Sequence, residues 1–457
     1  MSALPRTDFD VVVVGAGLAG LHAAATLESV DMRVLVLEAQ QRVGGRIHSM
    51  RQQGGMAEAG GTYIGAGYER VIAAAKRHGV ELMDVTPVLE FFREQDLALD
   101  GEIIRQAEWA THPKNDFPQP DKAHLPWNYH RVLTMRDNPL QDPSEWLDAS
   151  HAALDVSAHA WFRSLGLSER AIALAYGLNV SFGRDAHDVS ALLLLFRGAF
   201  SKQQRARSAS ESLGFTARRG VQLIPDAMAA ALANGVELDH AVAAITLESD
   251  RAVVSCANGR RFTARHVVAA VPPPVLRRIA IAPKLPPLQA DAIATLPSQP
   301  LTQVYLAPRS RFWEQDGYAA SLFTDTRAGM LAAARNRDDP AEVTSLTAWI
   351  TGDNAAALDR LPSADAGRSV IAAIETLRPS AKGQLELIGM HSWGADAYAG
   401  GAWAYFRPGE VTRFADVLGR AHGRLQFCGE HLATASRGME GAMESAEEAA
   451  AAILENA

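Results

Sequence analysis

The residues with the clearest chemical meaning stand near the start of the chain. Gly15-Ala16-Gly17-Leu18-Ala19-Gly20 is a GxGxxG run, and an acidic residue, Glu38, follows 18 positions after Gly20. Such a run binds a dinucleotide only in one context. It must join a strand to a helix, and the acid must end the next strand. Here the β-branched run Asp10 to Val14 precedes the glycines, an Ala-rich stretch from Leu21 to Glu28 follows, and Arg33 to Leu37 reads as the second strand. In that setting Gly15 makes the tight turn, Gly17 lets a pyrophosphate approach backbone, and Gly20 lets the helix pack on the strand. The free N–H groups of the helix start face the phosphates. Glu38 is placed to accept ribose hydroxyls. Gly65-Ala66-Gly67 imitates the motif, but it has no third glycine and is followed by Tyr68-Glu69-Arg70.

Other chemistries are poorly supplied. The chain has no HExxH motif and no His/Cys cluster, so no metal site is expected; His187 and His431 stand alone. Its two cysteines, Cys256 and Cys428, form neither a CxxC pair nor a disulfide framework, which fits a reducing cytoplasm. No second GxGxxG is present, so a reductase that takes electrons from a nicotinamide is disfavoured. The organic substrate itself is the expected reductant. Arg205, Arg207, Arg218 and Arg219 read as a solvated face.

The elements that hold these residues come from a long chain. Its 457 residues, 48% hydrophobic, allow about three domains by length, and disorder as the main state is excluded. With 44 Lys plus Arg against 52 Asp plus Glu the net charge is −8, which argues against a nucleic-acid partner. Neither a signal peptide nor an apolar stretch of membrane-spanning length is visible, so a soluble, cytoplasmic protein without a membrane partner is expected. Residues Trp109 to Pro143 carry six prolines and predict loop with extended pieces. From Ser144 to about Lys202 the periodicity turns helical. Strands are predicted at Ala241 to Leu247, Ala252 to Cys256, His266 to Val271, Leu301 to Leu306 and Thr344 to Ile350. The end, Gly438 to Leu454, is a strong helix rich in Ala and Glu.

Beyond Glu38 the sequence acquires a family likeness. Arg42-Val43-Gly44-Gly45-Arg46, Glu58-Ala59-Gly60-Gly61-Thr62-Tyr63, Cys428-Gly429-Glu430 and Gly438-Met439-Glu440-Gly441-Ala442 resemble segments of the flavin-containing amine oxidases of the monoamine oxidase type. The likeness extends to Arg184 through Leu192, to Trp393 and to Ala399-Gly400-Gly401-Ala402-Trp403, so it runs nearly end to end.

That resemblance implies an α/β fold in which a Rossmann-type FAD-binding domain is interleaved with an α+β substrate-binding domain. The expected division is 1–84, 215–290 and 391–457 for FAD, and 85–214 and 291–390 for substrate. It also implies that Gly45, Arg46, Gly61 and Thr62 contact the phosphates or approach the flavin, that Val242 meets the adenine, and that Glu430 lies near the ribityl chain and pyrophosphate. Trp393 and Met439 join the cofactor set. The start of the last helix would offer its positive end to the negative charge of reduced flavin. Relatives that tether the flavin use a cysteine after the Gly-Gly pair; Ala402 stands there, so noncovalent FAD is expected.

The implied reaction moves a hydride equivalent from the carbon next to an amine nitrogen to the flavin, with oxygen or another acceptor reoxidising it. The family holds the amine between two aromatic rings. Trp403 matches the first, while the second position falls on Gly438, which implies an opening for a larger group. The usual lysine near the flavin is replaced by Gln303, whose amide could still hold a water; no lysine lies between Lys284 and Lys382. The expected substrate is a bulky or aromatic primary or secondary amine. Oxidation of an L-amino acid is the alternative, which needs a pocket arginine that the sequence does not place. A structural or regulatory flavin is a third reading, and a homodimer is left open.

Overall fold

The computed structural model describes residues 7–50, 57–91, 94–178, 180–207, 212–336 and 338–455. Phe9–Val14 is a strand, Leu18–Glu28 a helix and Val34–Leu37 a second strand. Val11 to Val14 are all buried, so both faces of the first strand are covered. A strand sustains this inside a parallel sheet with layers on each side. It pairs in parallel with Val34–Leu37 on one edge and with Arg261–Ala269 on the other.

That sheet has eight strands. In order they are Val236–Glu237, Val34–Leu37, Phe9–Val14, Arg261–Ala269, Ala252–Cys256, Val242–Leu247 and Ala280–Ala282, with Leu425–Phe427 also pairing with Arg261–Ala269. The start, middle and end of the chain thus meet in one sheet. The helix Leu18–Glu28 packs against the last helix, Gly438–Leu454.

A second sheet of seven strands runs Leu385–Ser392, Leu301–Pro308, Val343–Thr351, Met330–Arg335, Ser321–Thr324, Gln95–Leu99 and Glu102–Ile104. Its pairings are antiparallel except between Ser321–Thr324 and Gln95–Leu99. A small sheet of Ile64–Gly65, Gly214–Ala217 and Leu82–Asp84 stands where the chain leaves the first sheet and where it returns. Among the described residues no helix is long and apolar enough to cross a membrane.

The helical insert is broken into short pieces, Ala158–Ser164 and Glu169–Ile172, before the longer helix Ala191–Arg207, whose first six residues are all buried. The region expected as loop between Trp109 and Pro143 contains an 11-residue helix, Pro126–Arg136. Pro126 sits at its first turn, where a missing N–H is harmless. Tyr129, His130, Leu133 and Thr134 form its buried face. The prolines at 118, 120, 139 and 143 all lie outside it. This helix packs on Ala191–Arg207.

Candidate functional site

A continuous cavity of about 1680 Å³ extends from Glu38, His240 and Val242, past Gly15, Gly17, Arg46 and Glu430, to Gln303 and Trp403, and on to Trp127 and Arg131. Small-molecule sites usually occupy about 300 to 1,000 Å³. There is room here for a dinucleotide and a second ligand together. Every residue that the sequence singles out for cofactor or catalysis lines this cavity except Gly20.

The first end is a cradle of backbone. Gly15 has φ of 100°, a conformation that disfavours any side chain. A Cβ on Gly17 would meet nothing within 4 Å, so the space above it is open, and the helix that starts beside it has no side-chain cap. Its first N–H groups are free for an anion. Gly20 acts from behind the wall: a Cβ there would stand 1.9 Å from the Gly15 carbonyl oxygen. The Gly44 N–H donates to the Ala16 carbonyl at 2.8 Å, which fixes the second glycine pair against the first turn.

Glu38 is 6% exposed, and its two oxygens each accept one backbone N–H, from Ala16 at 2.8 Å and from Gln40 at 2.9 Å. Burial pushes its carboxyl above the ordinary range, against the pull of those two hydrogen bonds. A carboxylate has acceptor positions beyond two, so a ribose diol can still be bound. Glu38→Ala is expected to weaken FAD binding by about 1 to 3 kcal/mol, the penalty for leaving buried hydroxyls unpaired. Titration of apoprotein with FAD checks this; unchanged affinity removes Glu38 from the site.

Further along, Arg46 donates to the Glu430 carboxylate at 3.0 Å and to the Ala402 carbonyl at 2.9 Å, while Glu430 also accepts the Ala404 N–H at 3.0 Å. Burial is the strongest single influence and would raise the Glu430 carboxyl, but the charges of Arg46, His431 and Arg437 and the Ala404 hydrogen bond together hold it below its usual value. This knot ties the Gly-Gly segment after Asp396 to the segment before the last helix. A Cβ on Gly61 would lie 3.5 Å from Met439 Sδ, so Gly61, Thr62 and Met439 share one stretch of wall.

At the inner end, Trp403 Nε1 donates to the Ser181 carbonyl at 2.8 Å, and its ring meets the edge of Phe182 at 6.2 Å between centroids. The Tyr176 hydroxyl donates to the Phe182 carbonyl at 2.7 Å and so anchors the backbone that carries that ring. Gln303 is 1% exposed. Its Nε2 donates to the Ala59 carbonyl at 3.1 Å, its Oε1 accepts the Tyr305 hydroxyl, and Trp393 Nε1 donates to the same Ala59 carbonyl at 2.8 Å. The amide is therefore largely engaged within the protein. One remaining hydrogen is available to a water, less than its expected role assumed. Gly438 has φ of 58°, and a Cβ there would have only the Tyr68 hydroxyl near it, at 3.8 Å. Its backbone conformation itself calls for glycine, and Tyr68 bounds one side of the space beside it.

A family model for flavin containing amine oxidoreductase matches residues 18–454. The chain belongs to this family. Its members use FAD to oxidise amines, so the chain is a flavin-dependent amine oxidoreductase acting on a CH–NH bond. A flavin-containing amine oxidase of Danio rerio is 27% identical over 98% of this chain and 86% of its own length. The B-type enzyme of Homo sapiens is 27% identical over 97% and 86%. Among solved structures, a putrescine oxidase variant superposes with a TM-score of 0.79 at 23% identity, covering 99% of this chain and 100% of that one. A cyclohexylamine oxidase from Brevibacterium oxydans gives 0.77 at 23%, covering 98% and 99%. The open cradle over Gly17, the uncapped helix start and the Glu38 carboxylate are the groups that an FAD needs, and they fit it.

Several wall residues escape sequence reasoning. Tyr68 is in the segment set aside as a false glycine motif, and Phe182 follows the insert's broken helices. Arg131, Arg197 and Arg437 also line the cavity. Arg437 directly precedes Gly438, a signal that was available; the other two sit on separate helices with nothing in sequence to join them. Arg205, Arg207, Arg218 and Arg219 are exposed, as a solvated face requires.

Proposed function

We propose that this enzyme oxidises a bulky or aromatic primary or secondary amine to the imine, which water hydrolyses to an aldehyde or ketone, with oxygen or another acceptor closing the cycle. The observation that carries this reading is the continuity of the cavity: the dinucleotide cradle opens directly into a chamber bounded by Trp127, Phe182, Phe323, Trp349 and Trp403. The names of the solved relatives span a linear diamine and a cyclic amine, and the aromatic walls here suit the bulkier kind.

Residues 1–84, 215–290 and 391–457 form the cofactor part in this proposal, and 85–214 with 291–390 the substrate part. The first set holds all strands of the eight-stranded sheet; the last strand of the other sheet, Leu385–Ser392, runs two residues past its boundary. FAD, when bound, accepts the hydride equivalent from the carbon beside nitrogen. Trp403, pinned by Ser181 and Phe182, orients that carbon and its C–H bond. The apolar walls exclude water and favour the neutral amine. Gln303 holds a water with its remaining amide hydrogen. The start of the last helix at Gly438 and Met439 would offer positive potential to a negatively charged cofactor held in the cavity.

The cofactor is held without a covalent bond in this proposal. Ala402 offers no thiol, and neither Cys256 nor Cys428 lines the cavity; burial pushes the Cys428 thiol up to about 12. Acid precipitation is expected to release the yellow flavin into the supernatant, and colour that stays in the pellet would contradict it. Anaerobic mixing of holoenzyme with a panel of amines tests the reaction. Bleaching of the flavin by bulky or aromatic amines is expected, and a flavin that no amine bleaches would make it structural.

A further inference from the structure

Three arginines meet on the wall of the substrate chamber. Arg131 comes from the helix Pro126–Arg136, Arg197 from Ala191–Arg207, and Arg437 from the residue before the last helix. None of the three donates a hydrogen bond or forms an ion pair with any described residue. Arg131 Nε and Arg437 Nη1 are buried and unsatisfied. The three also stand close enough to repel: the charge of Arg197 bears on both Arg131 and Arg437, and with burial, the larger cause, it pushes both guanidiniums below their ordinary value, to about 9 and about 10.

The contacts that compensate them are aromatic, and the Glu430 charge bears on Arg437 without a hydrogen bond. The guanidinium carbons of Arg197 and Arg437 lie 5.6 and 4.9 Å from the centroid of the same ring, Phe182. Such contacts offset only a small part of the cost of burying a cation. The carboxylates on the cavity wall are spent elsewhere or lie outside. Glu38 is taken by backbone, Glu58 by the Ser49 hydroxyl at 2.6 Å, Asp338 is exposed, and Glu430 is bonded to Arg46, which leaves it only a longer-range pull on Arg437 and none on Arg131 or Arg197. A cationic substrate would add a further positive charge to this chamber.

We infer that the chamber takes an amine that also carries a carboxylate, and that Arg131, Arg197 and Arg437 bind that carboxylate. The inference deepens the amine-oxidation reading and rests on it. Phe182 sets the spacing, since Trp403 and two of the guanidiniums all lie within 6.2 Å of its ring centroid. The carboxylate therefore lies about one ring's width from the wall that orients the reacting carbon, so the substrate is an amino acid. Guanidinium forks match a planar carboxylate. Their field also favours loss of the ammonium proton, which delivers the neutral amine that oxidation requires. FAD's own phosphates are an inferior counterion, because Arg131 and Arg197 sit on the packed helices Pro126–Arg136 and Ala191–Arg207 and the phosphate cradle is at Gly15 to Leu18.

The test uses holoenzyme with two probes. Benzoate, which has no amine, is expected to perturb the flavin absorption spectrum saturably. Arg131→Met and Arg197→Met should each raise its Kd about tenfold or more, the range expected for a lost charge-assisted hydrogen bond, with FAD content unchanged. Arg197→Lys, which keeps charge and loses the fork, should fall between and covers the case in which the Met variant does not fold. In anaerobic mixing, phenylalanine should reach half-maximal flavin reduction at a concentration about tenfold or more below that of phenethylamine, and the Met variants should erase the difference. A flavin reduced by phenethylamine but indifferent to benzoate, with no preference for phenylalanine, overturns the inference. So does loss of FAD from the Arg131 and Arg197 variants, which would make the cofactor their partner. A spectrum that responds to benzoate with no bleaching by any amine or amino acid leaves the carboxylate site standing and removes the oxidation.

Discussion

Gly20→Ala is expected to purify without flavin. One added Cβ would stand 1.9 Å from the Gly15 carbonyl oxygen, 3.1 Å from its carbon and 3.2 Å from Ala270 Cβ. Carbon and oxygen cannot approach so closely, and the obstacle is backbone, so no rotamer relieves it. Either the helix Leu18–Glu28 lifts from the sheet or the turn at Gly15 deforms. The turn has no slack, because Gly15 N–H donates to the Leu37 carbonyl at 2.8 Å and the strand ahead of it is buried on both faces. Lifting the helix also disturbs its packing on Gly438–Leu454, which carries the other end of the cofactor wall. The ratio of flavin to protein absorbance should fall nearly to zero, and added FAD should no longer raise the Tm. Full flavin occupancy in the variant would mean that the helix can move without opening the cradle. Gly17→Ala is the informative companion: its Cβ meets no protein atom, so any loss of FAD there reflects the ligand's own need for that space.

The contrast between those two glycines explains what the sequence could convey. The turn from Val14 to Leu18 is legible because each residue answers to local geometry: valines for a doubly covered strand, glycines for a tight turn and an acid for the next strand end. The last helix is legible for a similar reason, since an Ala- and Glu-rich run needs no partner to declare itself. The helix Pro126–Arg136 was hidden because four neighbouring prolines outvote one face of buried residues, although none of those four lies inside it. The arginines were hidden for a different reason. Arg131, Arg197 and Arg437 are distant in sequence, and each alone looks like the ordinary cation of a solvated face, as Arg205 and Arg207 in fact are. What sets them apart is that the packed helices Pro126–Arg136 and Ala191–Arg207 and the last helix turn them to one cavity, a tertiary fact. Gln303 shows the same limit. Its place on the wall followed from family spacing, but its bond to Ala59 depends on a strand more than 200 residues away meeting the one that carries it.

Trp403→Ala is expected to depress turnover for every substrate, whereas substitution at Gly438 should change which substrates are accepted. Trp403 is held by the Ser181 carbonyl and by Phe182, so its ring has little freedom, and in the proposed reaction the reacting carbon would lean on a fixed wall. Removing the ring lets the substrate shift by an ångström or more, a displacement that lowers rates by about 100-fold. The loss should appear in the rate of flavin reduction at saturating substrate, with FAD content intact. Trp403→Phe, which keeps a ring, should recover most of it. Gly438 behaves differently because two effects meet there. Its φ of 58° makes any side chain costly, by about 1 to 2 kcal/mol, and a tyrosine ring would also fill the opening toward Tyr68. Gly438→Ala measures the backbone effect alone. Gly438→Tyr adds the ring, and its further effect should be to exclude bulky amines while small ones are still oxidised. Anaerobic reduction rates for a bulky and a small amine, compared across wild type and the two variants, separate strain from shape. If Gly438→Ala and Gly438→Tyr slow both amines equally, the position serves only the backbone, and the chamber's capacity is set by Trp403 and Tyr68 without it.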